Sequence, residues 1–346
     1  MYIIEFFLLF LATIAPILLS IAFFTLAERK IIAAIQRRQG PNVIFFWGLL
    51  QPIADGLKAI LKELVFPKRI DFFLFLLGPL LTFLLSVVGW FLIPLSLNIT
   101  MFDYNLSFVF FFAVASLGFY GVLLASWASN SKYAMLAAFR SVAQLISYEI
   151  FIGLNILPVI AFTGSWNFID IVITQAHIWN IFIFFPLTLI FFVALLAETN
   201  RIPFDLPEAE AEIVAGYNIE YSGFIFALFF LGEYSNMILN AIVIVLLFLG
   251  GWLYPFEPII TPLTPYLPQS LNSFFIIKIL FFNFLWIVVR ATLPRYRCDQ
   301  LMDLGWKVFL PITLSMFYSY ICLGIFFCSF PFTAQIPFIM NTNILC

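Results

Sequence analysis

Glu198–Tyr221, ETNRIPFDLPEAEAEIVAGYNIEY, separates two long apolar runs at about 180–197 and 223–249. Six of the chain's eighteen carboxylates fall inside it (Glu198, Asp205, Glu208, Glu210, Glu212 and Glu220), with a single cation, Arg201. The flanks decide the fold class. Runs of about 20 apolar residues match the length a helix needs to cross roughly 30 Å of hydrocarbon. They are apolar all round, unlike the alternating strands of a membrane barrel. The insert itself points to function, because a connection between membrane helices has no structural need for so many acids.

The rest of the chain repeats the flanks. It is 64% hydrophobic and 10% charged, with a mean hydropathy of +1.10. An all-α integral membrane protein is expected. Its eight spans fall at about 3–27, 72–97, 105–127, 140–163, 180–197, 223–249, 272–292 and 308–330. No hydrophilic segment exceeds about 45 residues, so residues 1–346 are read as a single membrane domain. The first span has no basic leader and no small-residue cleavage site before Glu28, which makes it a retained helix.

Charge sets the orientation. Fifteen of the 16 basic residues fall in the connections after the first, third, fifth and seventh spans or at the span ends bordering them, and Lys278 alone lies at the other end of a span. By the positive-inside rule those connections face the cytoplasm or matrix, and both termini face the opposite side. Cys298, Cys322, Cys328 and Cys346 lack metal-ligand spacing, and His177 lies alone in a polar connection. A haem or iron–sulfur centre held by this chain alone is therefore not expected.

The first basic connection contains QRRQGPN (Gln36–Asn42), a basic stretch ending in a turn signal. Then PIADGLKAILKEL (Pro52–Leu64) places Ile53, Leu57, Ile60, Leu61 and Leu64 at helical spacing, opposite Asp55, Lys58, Lys62 and Glu63. This reads as a short amphipathic helix in the membrane interface. It is either an anchor or the wall of a passage for something arriving from the lipid.

Two carboxylates lie inside spans. Glu149 is followed one turn later by Gly153, where a neighbouring helix has room to approach. Glu233 shares its face with Asn236 and Asn240. A central acid costs about 2.5–3.5 kcal/mol to insert charged. Neutralising a carboxyl of ordinary pKa at pH 7 costs about 3.7 kcal/mol. The two costs nearly match, so surroundings decide the protonation state, which suits a proton relay. The alternative is a carboxyl that merely hydrogen-bonds its neighbours. In the acidic connection, Asp205-Leu206-Pro207-Glu208 resembles a capping box opening a short helix that stops at Gly216. That leaves Glu210, Glu212 and Glu220 as either a chain of coupled carboxyls or a solvated acidic face.

The run ETNRIPFDLPEAEAEIVAGYNIEYSG closely resembles the signature of subunit 1 of NADH dehydrogenase, the membrane subunit that joins the peripheral arm of respiratory complex I. Further matches are AERK (Ala27–Lys30), RRQGPN (Arg37–Asn42), LQPIADGLK (Leu50–Lys58) and WASNSKYA (Trp127–Ala134). They continue with RSVAQLISYE (Arg140–Glu149), GEYSNM (Gly232–Met237) and VRATLPRYRCDQLM (Val289–Met302). The matches follow the chain in order, and the tail beyond about Phe330 is the least similar part.

This resemblance implies eight helices and no redox cofactor on the chain. It implies a narrow chamber, shared with peripheral-arm subunits, in which ubiquinone is reduced. NADH, FMN and iron–sulfur clusters would belong to partner subunits. The other implied partners are antiporter-like membrane subunits and membrane lipid, with no nucleic acid. At the matching positions, Gln36, Arg38, Asp55 and Arg201 would line the chamber or its entrance. Glu149, Glu198 and Glu233 would carry protons, linked to the chamber by Asp205, Glu208, Glu210 and Glu212. Arg295 and Arg297 would brace the docking face. The expected location is the mitochondrial inner membrane, with both termini in the intermembrane space. Forty-seven phenylalanines hint at the AT-rich coding of an organelle. Three other readings are a cation/proton antiporter-like subunit, the membrane subunit of a related hydrogenase-type complex, and a structural anchor. Against the first stands the clustering of the acids at one connection, with Lys278 the only intramembrane lysine.

Overall fold

The computed structural model describes residues 2–96, 100, 102–207, 216–254 and 272–326. Every expected span carries helix. The elements are α1 (Tyr2–Ile35), α2 (Gln51–Leu61), α3 (Phe72–Phe91), α4 (Ser107–Ala128) and α5 (Lys132–Thr163). There follow α6 (Phe168–Thr174), α7 (Asn180–Ile183), α8 (Phe185–Glu198), α9 (Gly223–Phe248) and α10 (Asn272–Thr292). Next come α11 (Cys298–Asp303), a π turn (Leu304–Phe309) and α12 (Leu310–Phe326). Among the described residues there is no strand, and six helices are long and apolar enough to cross a membrane. The apolar α8 is shorter.

Several boundaries move. The helix that begins the chain runs on to Ile35, so Glu28, Arg29 and Lys30 lie inside it and do not end it. The fifth span is broken at Phe184, one residue before Phe185-Pro186 opens α8. Proline tolerates the first turn of a helix but not its interior. The helix of the fourth span starts at Lys132, capped by the Ser131 side chain, which accepts from Ala134 N. The amphipathic helix stops at Leu61 because Lys62 is extended. Its apolar residues Ile53, Leu57, Ile60 and Leu61 are all exposed, as an interfacial face requires.

α9 is the central post. Every residue from Met237 to Phe248 is buried, which fits a helix apolar on all sides. Its C-terminal end meets Lys278 of α10. The Lys278 ammonium donates to Leu249 O, Gly251 O and Leu253 O at 2.7, 2.9 and 2.8 Å. It also lies 4.2 Å from the Trp179 ring and 4.8 Å from that of Phe274. The one intramembrane lysine is thus a helix cap that satisfies carbonyls left open where α9 ends.

α3 and α4 pack at backbone contact. A Cβ on Gly78 would lie 2.8 Å from Ala125 Cβ and 3.0 Å from Ala125 Cα. Small residues at such a crossing let membrane helices gain dispersion contacts that lipid cannot outcompete. Tyr221 stitches the same pair: its hydroxyl donates to Phe75 O at 3.1 Å and Ala125 O at 3.2 Å, and its ring stacks on Phe75 at 4.1 Å. Burial pushes the Tyr221 phenol well above its ordinary pKa, so it remains a donor. Gly153 does not serve the same purpose. An added Cβ there would meet only the Phe112 ring, at 3.9 Å, so no backbone approaches it closely.

Gly78→Val should force α3 off α4, an overpacking cost of about 1–3 kcal/mol. The expected result is a lower thermal midpoint and yield of assembled complex, with Gly118→Ala, where nothing lies within 4 Å, close to wild type. Equal midpoints for both variants would contradict the tight crossing.

Candidate functional site

The site begins at the turn after α8. Asn200 adopts a left-handed φ of 50°, which asparagine tolerates better than most residues. Gln144 of α5 clamps both sides of this turn, donating to Ala197 O at 2.7 Å and Phe204 O at 2.9 Å. Between those anchors Arg201 is driven inward and is only 3% exposed. Its Nη2 donates to Glu233 Oε2 of α9 at 3.0 Å, and its guanidinium lies 4.5 Å from the Tyr234 ring. Tyr217 donates to Glu233 Oε1 at 2.5 Å. Both oxygens of the intramembrane carboxyl therefore have a donor.

The network continues past Tyr234. Its hydroxyl donates to Glu28 Oε2 of α1 at 2.6 Å, and Arg290 of α10 bonds Glu28 Oε1. Glu28 is buried, so α1, α9, α10 and the turn after α8 converge on alternating charges with two tyrosines between them. Sequence reading missed Glu28, Tyr217, Tyr234 and Arg290. Arg290, in the last turn of an apolar span, carried the one available signal, whereas Glu28 falls just past the first span, where a charge is ordinary.

Three of the expected relay acids are brought together. Glu198 and Glu233 line one cavity of about 100 Å³ together with Asn236, Asn240 and Tyr217. Glu149 and Glu198 line a second, of about 30 Å³, walled otherwise by almost entirely apolar side chains. Glu198 is common to both. The first has room for a few waters and the second for about one. Asn240 donates to Glu198 Oε2 at 3.2 Å, so this asparagine serves Glu198 although it shares a face with Glu233.

Other expected residues lie elsewhere. Asp205 does not cap a described helix: it pairs with Arg295 Nη2 at 2.9 Å, and Tyr296 N donates to Pro203 O at 3.0 Å beside it. The segment after α10 is thereby fastened to the turn holding Arg201. Glu208, Glu210 and Glu212 lie outside the described residues, and so does the short helix expected there. Gly216, its expected stop, has a left-handed φ of 66°. Arg297 is exposed and pairs with Asp299 at 2.7 Å. Gln36 and Arg38 are exposed past the end of α1. Asp55 accepts from Arg29 at 2.6 Å and Gln51 at 3.1 Å, which joins α2 to α1 at the basic end.

The family model described as NADH dehydrogenase matches residues 8–321. The chain belongs to the NADH dehydrogenase family. Within that family it is similar to NADH-ubiquinone oxidoreductase chain 1 of Arabidopsis thaliana, 54% identical over 88% of this chain and 92% of the relative. The corresponding chain of Chondrus crispus is 49% identical over 91% and 95%. An NADH-quinone oxidoreductase subunit of Rhodospirillum rubrum is 52% identical over 88% and 89%. The family match covers every element of the site, from Glu28 to Arg297.

Arg201→Met should strand the Glu233 carboxylate; losing one partner of a buried pair costs up to about 3–5 kcal/mol. The remaining exposure of Glu233 holds the effect to the lower end. The double variant Arg201→Met/Glu233→Gln should recover part of the lost thermal midpoint of the assembled complex. A double variant no more stable than the single would show that the pairing is not the source of the loss.

Proposed function

We propose that this chain, a membrane subunit of NADH:ubiquinone oxidoreductase, forms the membrane side of the quinone chamber and passes the consequence of quinone reduction into a line of carboxyls. The observation carrying this reading is the pair of cavities that place Glu198 between Glu149 and Glu233, with Glu233 tied through Arg201 to the acidic connection.

The chemistry follows from that placement. Reducing a quinone to a quinol takes up two electrons and two protons in a poorly solvated place. A carboxylate nearby responds to such a change by shifting its proton affinity. Arg201 is the hinge of the response: it touches Glu233 directly, and its turn carries Asp205, which pairs with Arg295 of the segment after α10. A shift in the acidic connection therefore alters the pairing of Glu233, and water in the two cavities would relay the proton to Glu198 and Glu149. Glu208, Glu210 and Glu212 would connect this line to the chamber.

Gln36, Arg38 and Asp55, with the exposed apolar face of α2, stand where an amphiphile entering from the membrane would meet the chain. Arg295 and Arg297 would steady the surface that meets the peripheral-arm subunits. NADH, FMN and iron–sulfur clusters would be held by partner subunits, ubiquinone being the substrate. The setting that fits is the mitochondrial inner membrane, with eight spans and both termini in the intermembrane space. Lys278 speaks against an antiporter reading, since its ammonium is held by three carbonyls and two rings.

Photo-crosslinking of an azido-quinone to the intact complex tests the chamber. Label within 36–62 or 198–221 that a chamber inhibitor displaces is the expected result; labelling of partner subunits alone would move the quinone site off this chain. For the relay, Glu149→Gln and Glu198→Gln should each leave the complex assembled but lower proton pumping or turnover about tenfold or more; a positioned proton-transfer group typically contributes about 10²–10⁴-fold. Unaltered pumping per electron in both variants would end the relay assignment.

A further inference from the structure

Where α3 begins and α4 gives way to α5, the chain builds a two-part cleft that the quinone reading does not use. Lys68 and Arg69 precede α3, and Ser129–Ser131 join α4 to α5. The two connections are fastened together: Asn130 Nδ2 donates to Arg69 O at 2.9 Å and Asp71 N donates to Ala128 O at 3.3 Å. Between them lies a polar notch of about 590 Å³ lined by Lys68, Arg69, Ser129, Asn130, Ser131 and Glu220. Beside it, sharing Asn130 and Ser131, is a groove of about 490 Å³ lined by Trp127, Lys132, Met135, Leu136 and Phe139.

Charge and shape both select the occupant. Lys68, Arg69 and Lys132 are exposed, and among the described residues none of the three makes an ion pair. Glu220 is the one acid among the described lining residues, so the two parts together carry three cations against one anion. The groove is different in kind. Trp127, Leu136 and Phe139 are 55%, 56% and 60% exposed. Leu136 and Phe139 are three residues apart on α5 and share a face, with Trp127 at the end of α4 alongside. A ligand filling both parts must carry negative charge at one end and a hydrocarbon chain at the other. Cations at the ends of membrane helices, next to an indole at the interface, suit an anionic lipid headgroup.

We propose that this cleft binds an anionic phospholipid, its phosphate among Lys68, Arg69 and Lys132 and an acyl chain along Trp127, Leu136 and Phe139. Ser131, whose hydroxyl oxygen accepts from Ala134 N, keeps a proton to offer a phosphate oxygen at the same level, whereas the buried Ser129 hydroxyl donates to Ser126 O. Glu220 opposes the headgroup and sets a ceiling on its affinity. Because Glu220 directly precedes Tyr221, which fastens α3 to α4, an occupied cleft brings the lipid to the edge of the acidic connection.

The test uses the whole complex. An anionic phospholipid with a photoreactive group in its acyl chain is incubated with the purified complex, and labelled peptides are mapped. The expected label falls on 127–139, is displaced by unlabelled anionic lipid, and is displaced by neither phosphatidylcholine nor inorganic phosphate. Lys68→Gln, Arg69→Gln and Lys132→Gln should each reduce it about fivefold, from roughly 1 kcal/mol per basic residue near an anionic surface. Glu220→Gln should increase it, a gain that loss of folding does not produce. Equal displacement by phosphatidylcholine, or charge variants labelled like wild type, would reduce the cleft to an ordinary lipid-facing groove. Label elsewhere on the complex but none on 127–139 would mean that a protein subunit covers this face, and would overturn the proposal.

Discussion

The contact between Arg201 and Glu233 is the constraint around which the site is arranged. A guanidinium 3% exposed inside a membrane protein is costly unless its charge is answered nearby. Here it is answered by the Glu233 carboxylate at 3.0 Å and by the face of Tyr234. Placing the charge there requires the turn at Asn200 and the two hydrogen bonds from Gln144. It also requires that α9 present an acid at the matching height. Neither half is stable alone, which ties the geometry of α5, α8 and α9 together. Such a pair adds little net stability compared with apolar residues of the same size. Its place in the fold is better explained by what it connects.

On one side of the pair lie Glu28 and Arg290, and on the other the cavities leading to Glu198 and Glu149. The two sides differ in solvation. Glu28 is held directly by Tyr234 and Arg290, so charge there is fixed by short bonds between α1, α9 and α10. The acids beyond Glu233 face space, where water is needed to bridge them. A proton entering this second stretch does not have to break a salt bridge until it reaches Glu233. The direct network is therefore closed by bonds between side chains, whereas Glu198 and Glu149 border cavities with room for water.

Much of this was legible in the sequence, for a physical reason. Hydrocarbon admits only long apolar helices, so the spans are written as runs, and an acid inside a run stands out by composition alone. Glu149 and Glu233 stand out that way, while Glu198 and Arg201 stand out by the density of charge in the connection that holds them. Positions decided by distant partners do not. Glu28 meets an arginine 262 residues away, and nothing in AERK distinguishes it from a charge at a helix end. Asp205 satisfies the local rule for a cap, and nothing local announces its tertiary ion pair with Arg295; the helix it would cap lies outside the described residues. Gly153 was read as a close crossing because glycine permits one, whereas tight backbone packing lies at Gly78. The helix boundaries failed for a third reason: apolar composition marks where lipid ends, and α1 and α5 extend beyond that limit in polar sequence.

The same distinction explains why two kinds of charge in this chain behave so differently. Lys68, Arg69 and Lys132, at helix ends, are exposed, where water or an anionic surface solvates them. Inside the bundle the buried charges have dedicated sets of partners. Lys278 shows how far this goes, with three carbonyls and two aromatic rings around one ammonium. That arrangement surrounds the lysine with fixed dipoles, while the glutamates retain cavities beside them. In a low-dielectric interior, a charge surrounded by fixed dipoles is structural, and one bordering a cavity can gain or lose its proton as its surroundings change. By that criterion the described buried acids with room for water beside them lie on the line from Glu233 to Glu149, while Glu28, Arg290 and Lys278 are held by direct partners.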